Sequence, residues 1–455
     1  MVSSISSEGD RDLLSLAESV VSRAQPGEEL EVFVARSRST NVKAYEGAVE
    51  ALSSAVSMGV GIRVIVDGRQ GFAFAGTLDD DVIATTLADA RDNVLYSERD
   101  EFVALARPDG VAPVEQDLWR QEVLDFPNER KIDLAIELER RVRGADPRIS
   151  GIRTSSFSDS AGESAVATST GIASYGRATF CSLSVTALAR HNGDTTVGNG
   201  YDLARRPDEL DLARATDDAV LRATRLIGAK KPASQRITVV LEPRLAAIII
   251  GIVGGTLGGD AVSKRRSPFA DRMGETIASP LLSIVEDPTD ARSFSADSHD
   301  GEGLACRSTT LISAGVLEGF LHNTYTARRM GAVSTASAVR GVRSTPGVGA
   351  IALQMLPGAK SADELLARVE SGIFVQSLSG LHSGVNAISG DFSVGVEGLM
   401  IRNGALAEPV REATLGSTIQ RLLTDIVAVG SDLEWLPSGY GAVTLVIDGV
   451  TLSGA

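Results

Sequence analysis

The stretch Gly61-Ile62-Arg63-Val64-Ile65-Val66-Asp67-Gly68-Arg69-Gln70-Gly71-Phe72-Ala73-Phe74 decides how the first half of the chain is read. Asp-Gly tolerates positive φ at both central positions of a tight turn. Ile62, Val64, Phe72 and Phe74 alternate on either side of it, so the spacing predicts a β-hairpin. Upstream, Val32 and Val34 alternate with Phe33 and Ala35, a strand apolar on both sides and therefore covered on both. Leu13, Ala17, Val20, Val21 and Ala24 recur at helical spacing and stop before Gln25-Pro26-Gly27. Downstream, Asp79, Asp80 and Asp81 precede Val82, Ile83, Leu87, Ala90 and Val94, which places acidic side chains at the positive end of a helix dipole. The first domain reads as a sheet carrying helices.

Residues 102–126 hold Pro108, Gly110 and Pro113 with no sustained period and read as a surface connector. Asn128 is expected to cap a helix through Ile132, Ala135, Leu138 and Val142 to Gly144, followed by a polar β region over 149–189. Pro207 should open a further helix over 208–227. The main boundary falls at Lys230-Lys231-Pro232, because Ile237, Val239 and Leu241 alternate directly after it. The fold class is therefore α+β, with an N-terminal α+β domain over 1–230 and a glycine-rich, mostly antiparallel β domain over 231–455. Alternating runs at 309–317, 373–378 and 444–452 supply strands of the second domain. Helices there are few: Ser361 and Glu364 form a capping box before Leu365, Leu366 and Val369, and another helix is expected over 419–427.

The composition of 455 residues, 43% hydrophobic and 23% charged, is that of a globular protein with a large core and rules out disorder, collagen and coiled coil. Lys and Arg number 44 against 59 Asp and Glu, a formal net charge of -15, which repels phosphate backbones and anionic lipid, so neither nucleic acid nor a membrane is expected as partner. The apolar run 245–253 is far short of the roughly 20 residues a bilayer requires and reads as a buried helix or strand. The first twelve residues lack a basic start and an apolar run, arguing against a cleaved leader. Cys181 and Cys306 are too few and too far apart for a disulfide framework or a Cys-x-x-Cys pair, which fits a reducing cytoplasm.

A catalytic zinc site needs ligands in fixed geometry, usually two histidines one helical turn apart, plus a carboxylate to take a proton from bound water. His191, His299, His322 and His382 offer no such pair. Gly251, Gly254, Gly255, Gly258 and Gly259 ahead of Asp260 invite a phosphate-loop reading. No Gly-Lys-Ser/Thr follows them, and close backbone packing explains them better. Cys306, near His299 in sequence, is the candidate nucleophile, yet beside Leu304 and Ala305 it reads more simply as a small core residue. The basic residues Lys264, Arg265, Arg266, Arg272, Arg328, Arg329, Arg340 and Arg343 could clamp a carboxylate or peptide carbonyls, or merely form ion pairs, and the second reading leads.

Ordered blocks over nearly the whole chain resemble the TldD/PmbA family, the so-called modulators of DNA gyrase, and specifically its PmbA or TldE-like branch. They are Tyr45-Glu46-Gly47, 59–63 running into 68–72, 315–323 followed by 325–331, Gly384-Val385-Asn386-Ala387-Ile388-Ser389-Gly390-Asp391-Phe392-Ser393, and 426–434. The resemblance implies a subunit of a cytosolic heterodimeric metalloprotease, in which a TldD-type partner holds zinc through a His-Glu-x-x-x-His helix and a distant cysteine. Here those motif positions match Ile250, Gly251 and Gly255, and Leu436-Pro437-Ser438-Gly439 has no cysteine. The resemblance therefore implies no catalytic or metal-binding residue and no cofactor in this chain, with zinc expected in the partner. The family's Ser-Thr-Gly-Asn-Ala-Arg-Arg stretch appears as Ser334-Thr335-Ala336-Ser337-Ala338-Val339-Arg340, which leaves room for a specialised substrate. Expected contacts to an unfolded or leader-type peptide, or to the partner, are Gly254, Gly255, Gly258, Asp260, His322, Asn323, Arg328, Asn386 and Asp391. The competing readings are a homodimeric peptide- or ligand-binding protein without peptidase activity, and a hydrolase using Cys306 or a serine.

Overall fold

The computed structural model describes residues 12–454. The amino-terminal stretch read above for a leader lies, apart from Asp12, outside the described residues. The N-terminal half comprises α1 (Leu13–Val21), β1 (Glu29–Tyr45), β2 (Ala48–Val66), β3 (Arg69–Ala75), α2 (Asp80–Val94), α3 (Gln121–Asp125), α4 (Asn128–Ala145), β4 (Ile149–Thr168), β5 (Ala173–His191), β6 (Asp194–Ala204) and α5 (Leu212–Thr224). Its strands form one six-stranded antiparallel sheet in the order β3-β2-β1-β4-β5-β6. Asp67 and Gly68 take φ of 51° and 74°, so the predicted turn forms and β2 and β3 pair from Val60–Ala75 to Val66–Arg69.

Strand periodicity divides the sheet into two faces. Leu30, Val32 and Val34 of β1 bury against α1 and α2, together with Leu16, Val20, Ile83 and Leu87. Farther along the same face Val42 and Ala44 bury against Leu138 and Val142 of α4. On the opposite face Phe33 packs with Val166, Ile172, Leu304 and Ala336, the last two from the C-terminal half. One face thus carries helices and the other receives the second half of the chain.

That half comprises β7 (Gln235–Leu241), α6 (Pro243–Thr256), α7 (Gly259–Ser263), β8 (Ile284–Glu286), β9 (Thr309–Ser313), β10 (Val316–Leu317), α8 (Thr324–Met330), β11 (Ala338–Val339), β12 (Gly347–Val348), β13 (Leu353–Met355), α9 (Ala362–Leu366), β14 (Ser371–Ser379), α10 (Leu381–Gly384), β15 (Asp391–Arg402), β16 (Ala405–Thr418), α11 (Ile419–Thr424), β17 (Ile426–Val429), β18 (Glu434–Trp435), β19 (Gly441–Ala442) and β20 (Leu445–Ser453). Two six-stranded sheets, β16-β15-β14-β7-β20-β17 and β10-β9-β8-β13-β19-β18, are antiparallel apart from the pairs β14–β7 and β13–β19. The apolar helix α6 joins their shared core through Leu245, Ile249, Ile250 and Val253. The molecule is α+β.

Four local expectations are corrected. Asn128 does not cap α4; Pro127 holds that position in extended conformation and its carbonyl accepts from the Lys131 amide at 3.1 Å. The helix expected over 208–227 is split, because the Asp211 carboxylate accepts from the Ala213 and Arg214 amides at 2.8 and 3.1 Å and restarts it after a 3₁₀ turn at Pro207–Glu209. The run 309–317 is a hairpin, bent where Ala314 and Gly315 take φ of 44° and 83°. The last helix stops at Thr424, and β17 pairs with β20 instead of prolonging it.

Candidate functional site

Alternate turns of α6 face different surroundings, and this decides what its glycines do. Ile250 is fully buried in the core, and a Cβ on Gly254 would stand 2.4 Å from Leu353 Cδ1. Gly251 faces outward, where a Cβ would meet the Tyr440 ring at 3.1 Å, and Gly255 is exposed with nothing within 4 Å. Arg244, Ala247, Ile248 and Gly251 line one wall of a groove of about 340 Å³, opposite Leu436, Pro437, Ser438 and Tyr440, with Tyr201 of β6 at one end. The Arg244 guanidinium lies 4.1 Å over the Tyr201 ring and is held by Asp218 at 2.6 Å. The Tyr201 hydroxyl is buried without a partner.

Of the three positions expected to match the zinc motif only Gly251 lines this groove, and neither these positions nor the groove's facing segment fits a metal. Buried Ile250, the two glycines and Leu436-Pro437-Ser438 contribute no imidazole, thiolate or carboxylate. Among the described residues no three His, Cys, Asp or Glu side chains come together as a metal cluster.

The remaining candidates fall into two groups. Gly258 and Gly259 pack against the segment leading into α8: the Gly259 amide donates to the Leu321 carbonyl at 2.7 Å, and a Cβ there would strike His322 Nδ1 at 2.5 Å. His322 is buried, shares a 3.2 Å hydrogen bond with Thr326 Oγ1, and burial lowers its pKa, so the ring is a neutral spacer. Asn323 caps α8 by accepting from the Thr326 amide at 2.9 Å. Asp260 is exposed and paired with Lys264 at 2.7 Å. Arg328 is exposed and donates to the Glu101 carbonyl at 2.8 Å. Asn386 and Asp391 close a separate turn between α10 and β15, where Asn386 Oδ1 accepts from the Ile388 amide at 2.9 Å and Asp391 Oδ2 from Ser389 Oγ at 2.6 Å. Cys306 is buried, and burial together with the carboxylates of Asp297 and Asp300 raises its pKa, so it rests as a thiol.

A larger concavity lies where the outer face of the N-terminal sheet meets the C-terminal half. Its main chamber, about 410 Å³, is lined by Phe33, Arg36, Glu163, Asp297 and Arg340 among others, and a neighbouring one of about 220 Å³ adds His299 and Asp300. Next to it a buried ionic network joins the two halves. Arg63 donates through Nε and Nη2 to Glu31 at 3.0 and 2.7 Å, Arg340 Nη1 donates to the same carboxylate, and Glu302 lies 3.9 Å from Arg63. Burial alone would raise the Glu31 carboxyl, yet the two guanidiniums outweigh it and hold Glu31 below its ordinary pKa. Glu302 is raised by burial despite Arg63 and the bonds from Thr324. Arg340, read as an ordinary ion-pair residue, has a side chain with no exposed surface. The signal for this network was the placement of single charges, Glu31 and Arg63, inside apolar runs; which charge each one meets is visible only after folding.

Comparison with known proteins agrees with this architecture. The chain matches the PmbA/TldA metallopeptidase domain 1 over residues 30–94, the central domain over 121–227 and the C-terminal domain over 234–454. It is 27% identical over 431 residues to the metalloprotease PmbA of Escherichia coli O157:H7, covering 94% of this chain and 93% of that protein. It is 26% identical over 437 residues to a metalloprotease TldD homolog of Haemophilus influenzae, covering 90% and 89%. Among solved structures, a Bacteroides thetaiotaomicron protein named as a modulator of DNA gyrase superposes with a TM-score of 0.88 at 27% identity, covering 97% of this chain and 98% of that one. TldE from Thermococcus kodakarensis shares the fold, with a TM-score of 0.86 at 20% identity over 97% and 99% of the two chains. The three domain matches and the full-length relatives establish that this chain belongs to the PmbA/TldD family.

Proposed function

We propose that this chain is the peptide-holding subunit, itself without metal, of a two-subunit zinc metallopeptidase that processes unfolded or leader-type peptides. One observation carries the reading: α6 lines a groove of about 340 Å³, while the positions matched to the zinc motif, Ile250, Gly251 and Gly255, offer no ligand. In such an enzyme the TldD-type partner supplies the zinc, and no step of hydrolysis runs through this chain. Its own residues bind and orient. Ile248, Leu436 and Tyr440 give apolar walls that exclude water from a bound segment, and the bare backbone at Gly251 permits close approach of a peptide main chain. Exposed Asp260, Arg328, Asn386 and Asp391 are available for contacts with peptide or partner. Two free buried cysteines fit work in a reducing cytoplasm, and among the described residues no helix is long and apolar enough to cross a membrane.

The test is to purify the chain alone and after coexpression with a TldD-type protein encoded in the same genome. Metal content and cleavage of an unstructured peptide are measured in both samples. The expected result is co-purification, with zinc and activity only when both chains are present. Stoichiometric zinc or chelator-sensitive activity in the isolated chain would overturn the proposal.

A further inference from the structure

The chamber of about 410 Å³ under the outer face of the N-terminal sheet shares no lining residue with the α6 groove. Its size is that of a small-ligand site. Small side chains from four strands, among them Ser37, Ser57, Ser160, Gly162 and Ala178, make its floor, and Phe180 and Phe294 give it apolar wall. A Cβ on Gly162 would meet nothing within 4 Å, so the space is open at that point.

One charge faces this space without a counter-ion. Asp297 lines both this chamber and its smaller neighbour, and Gly176 leaves room for the carboxylate, since a Cβ there would stand 2.9 Å from Oδ1. Among the described residues no Lys, Arg or His pairs with Asp297. Its acceptor bonds come from the backbone amides of Ser298 and His299, the latter at 3.2 Å, and burial raises its pKa. The other charges nearby are matched or turned away. Arg36 pairs with Glu163 at 3.1 Å, and Arg340 with Glu31. Because Gly176 faces Asp297, strand alternation points Arg177 to the opposite face, where its guanidinium lies 5.0 Å from the Trp119 ring. In the smaller chamber the Asp300 carboxylate accepts from the Glu302, Leu304 and Ala338 amides at 2.9, 3.0 and 3.0 Å, and burial lowers the His299 pKa, keeping that ring neutral.

We propose that this chamber binds an organic cation, an ammonium or guanidinium group on an apolar stem, with the charge on Asp297 and the stem along Phe180 and Phe294. A half-buried carboxylate without a partner is stabilised most by a ligand that brings the opposite charge and donates to it. Basic side chains and free amines bury their methylene stems in the same way against apolar walls. The net charge of -15 draws cations towards the chain. An anion has no counterpart here: Arg340 keeps Nε and Nη2 without partners, but its side chain has no exposed surface from which to reach a ligand.

The site does not depend on the metallopeptidase reading and is tested on the isolated chain by calorimetric titration, with circular dichroism as the check on folding. Nα-acetyl-lysine N-methylamide is expected to bind with a Kd of about 1 mM, as its size allows. Its Nε-acetylated form, which is uncharged, and the corresponding glutamate amide should each bind at least tenfold more weakly. A simple diamine, 1,5-diaminopentane, carries the ammonium without a peptide backbone; tighter binding than the lysine probe assigns the site to free amines, and weaker binding assigns it to basic side chains. Asp297→Asn, which keeps an oxygen for the backbone amides, should weaken the lysine probe at least tenfold. Gly162→Leu, which fills the floor without touching the carboxylate, should weaken both amines at least tenfold. Equal affinity for the charged and acetylated lysine probes, tighter binding of the glutamate probe, no measurable binding of either amine, or an unchanged Kd in Asp297→Asn would overturn the proposal.

Discussion

Glu31 and Arg63 are direct cross-strand partners on β1 and β2, and their side chains meet in a two-pronged ion pair at 3.0 and 2.7 Å with almost no exposure to solvent. Arg340, from the other half of the chain, shares the same carboxylate and stacks 4.8 Å from the Phe33 ring. One carboxylate therefore ties the sheet to the C-terminal half.

Removing that carboxylate leaves two buried guanidiniums without their shared counter-ion. Glu31→Ala is expected to lose about 3–5 kcal/mol in urea unfolding. Arg340→Met should lose less, because Arg63 still neutralises Glu31 through both prongs. Equal losses from the two variants would contradict this account of the network.

Glu286 on β8 is pushed up to about 7 from 4.5 by burial, although Oε1 accepts from the Ile351 and Ala352 amides at 2.6 and 3.0 Å; Oε2 has no partner. The folded state therefore keeps a proton that the unfolded chain releases near pH 4.5. Stability contributed by the neutral carboxyl is present below that pH and is lost as pH rises to about 7. Glu286→Gln removes the titration. The wild type should lose about 3 kcal/mol relative to the variant between pH 4.5 and pH 7.5, measured by denaturant unfolding at both pH values.

Gly200 on β6 sits beneath α5, where a Cβ would stand 1.9 Å from the Ala215 carbonyl oxygen and 2.8 Å from the Ala219 nitrogen. Both contacts are helix backbone and cannot rotate away. Gly200→Ala is expected to cost about 3 kcal/mol and to lower the melting temperature by several degrees, and an unchanged melt would show that α5 can lift off the sheet cheaply.

Asp211 supplies the cap that restarts α5. Its loss in Asp211→Ala should cost about 1 kcal/mol, read from the denaturant midpoint, with the sheet intact by circular dichroism.

Gly251 tests the groove, because a side chain there presses first on the Tyr440 ring. Gly251→Leu should preserve folding and lower the peptidase activity of the complex with a TldD-type chain at least tenfold, because the side chain fills the space beside Tyr440. Undiminished activity would remove the groove from the path of the peptide.

Local chemistry along the sequence determined much of this protein. The Asp67-Gly68 hairpin, the Ser361 and Glu364 capping box, the buried character of α6 and the lack of a paired histidine motif all follow from neighbours a few residues apart, where spacing and backbone preference act directly. Helix ends were less legible, because the Asp211 carboxylate takes the first amides of α5 and the pairing of β17 with β20 ends the last helix, neither of which periodicity records. Tertiary structure alone decided that Arg340 reaches Glu31 across 309 residues, that His322 is buried against Gly259, and that β3 stops short and leaves half of β2 uncovered. Each of these depends on closing long loops and on the shape of the surfaces that meet, and a one-dimensional pattern of apolar and polar residues carries neither quantity.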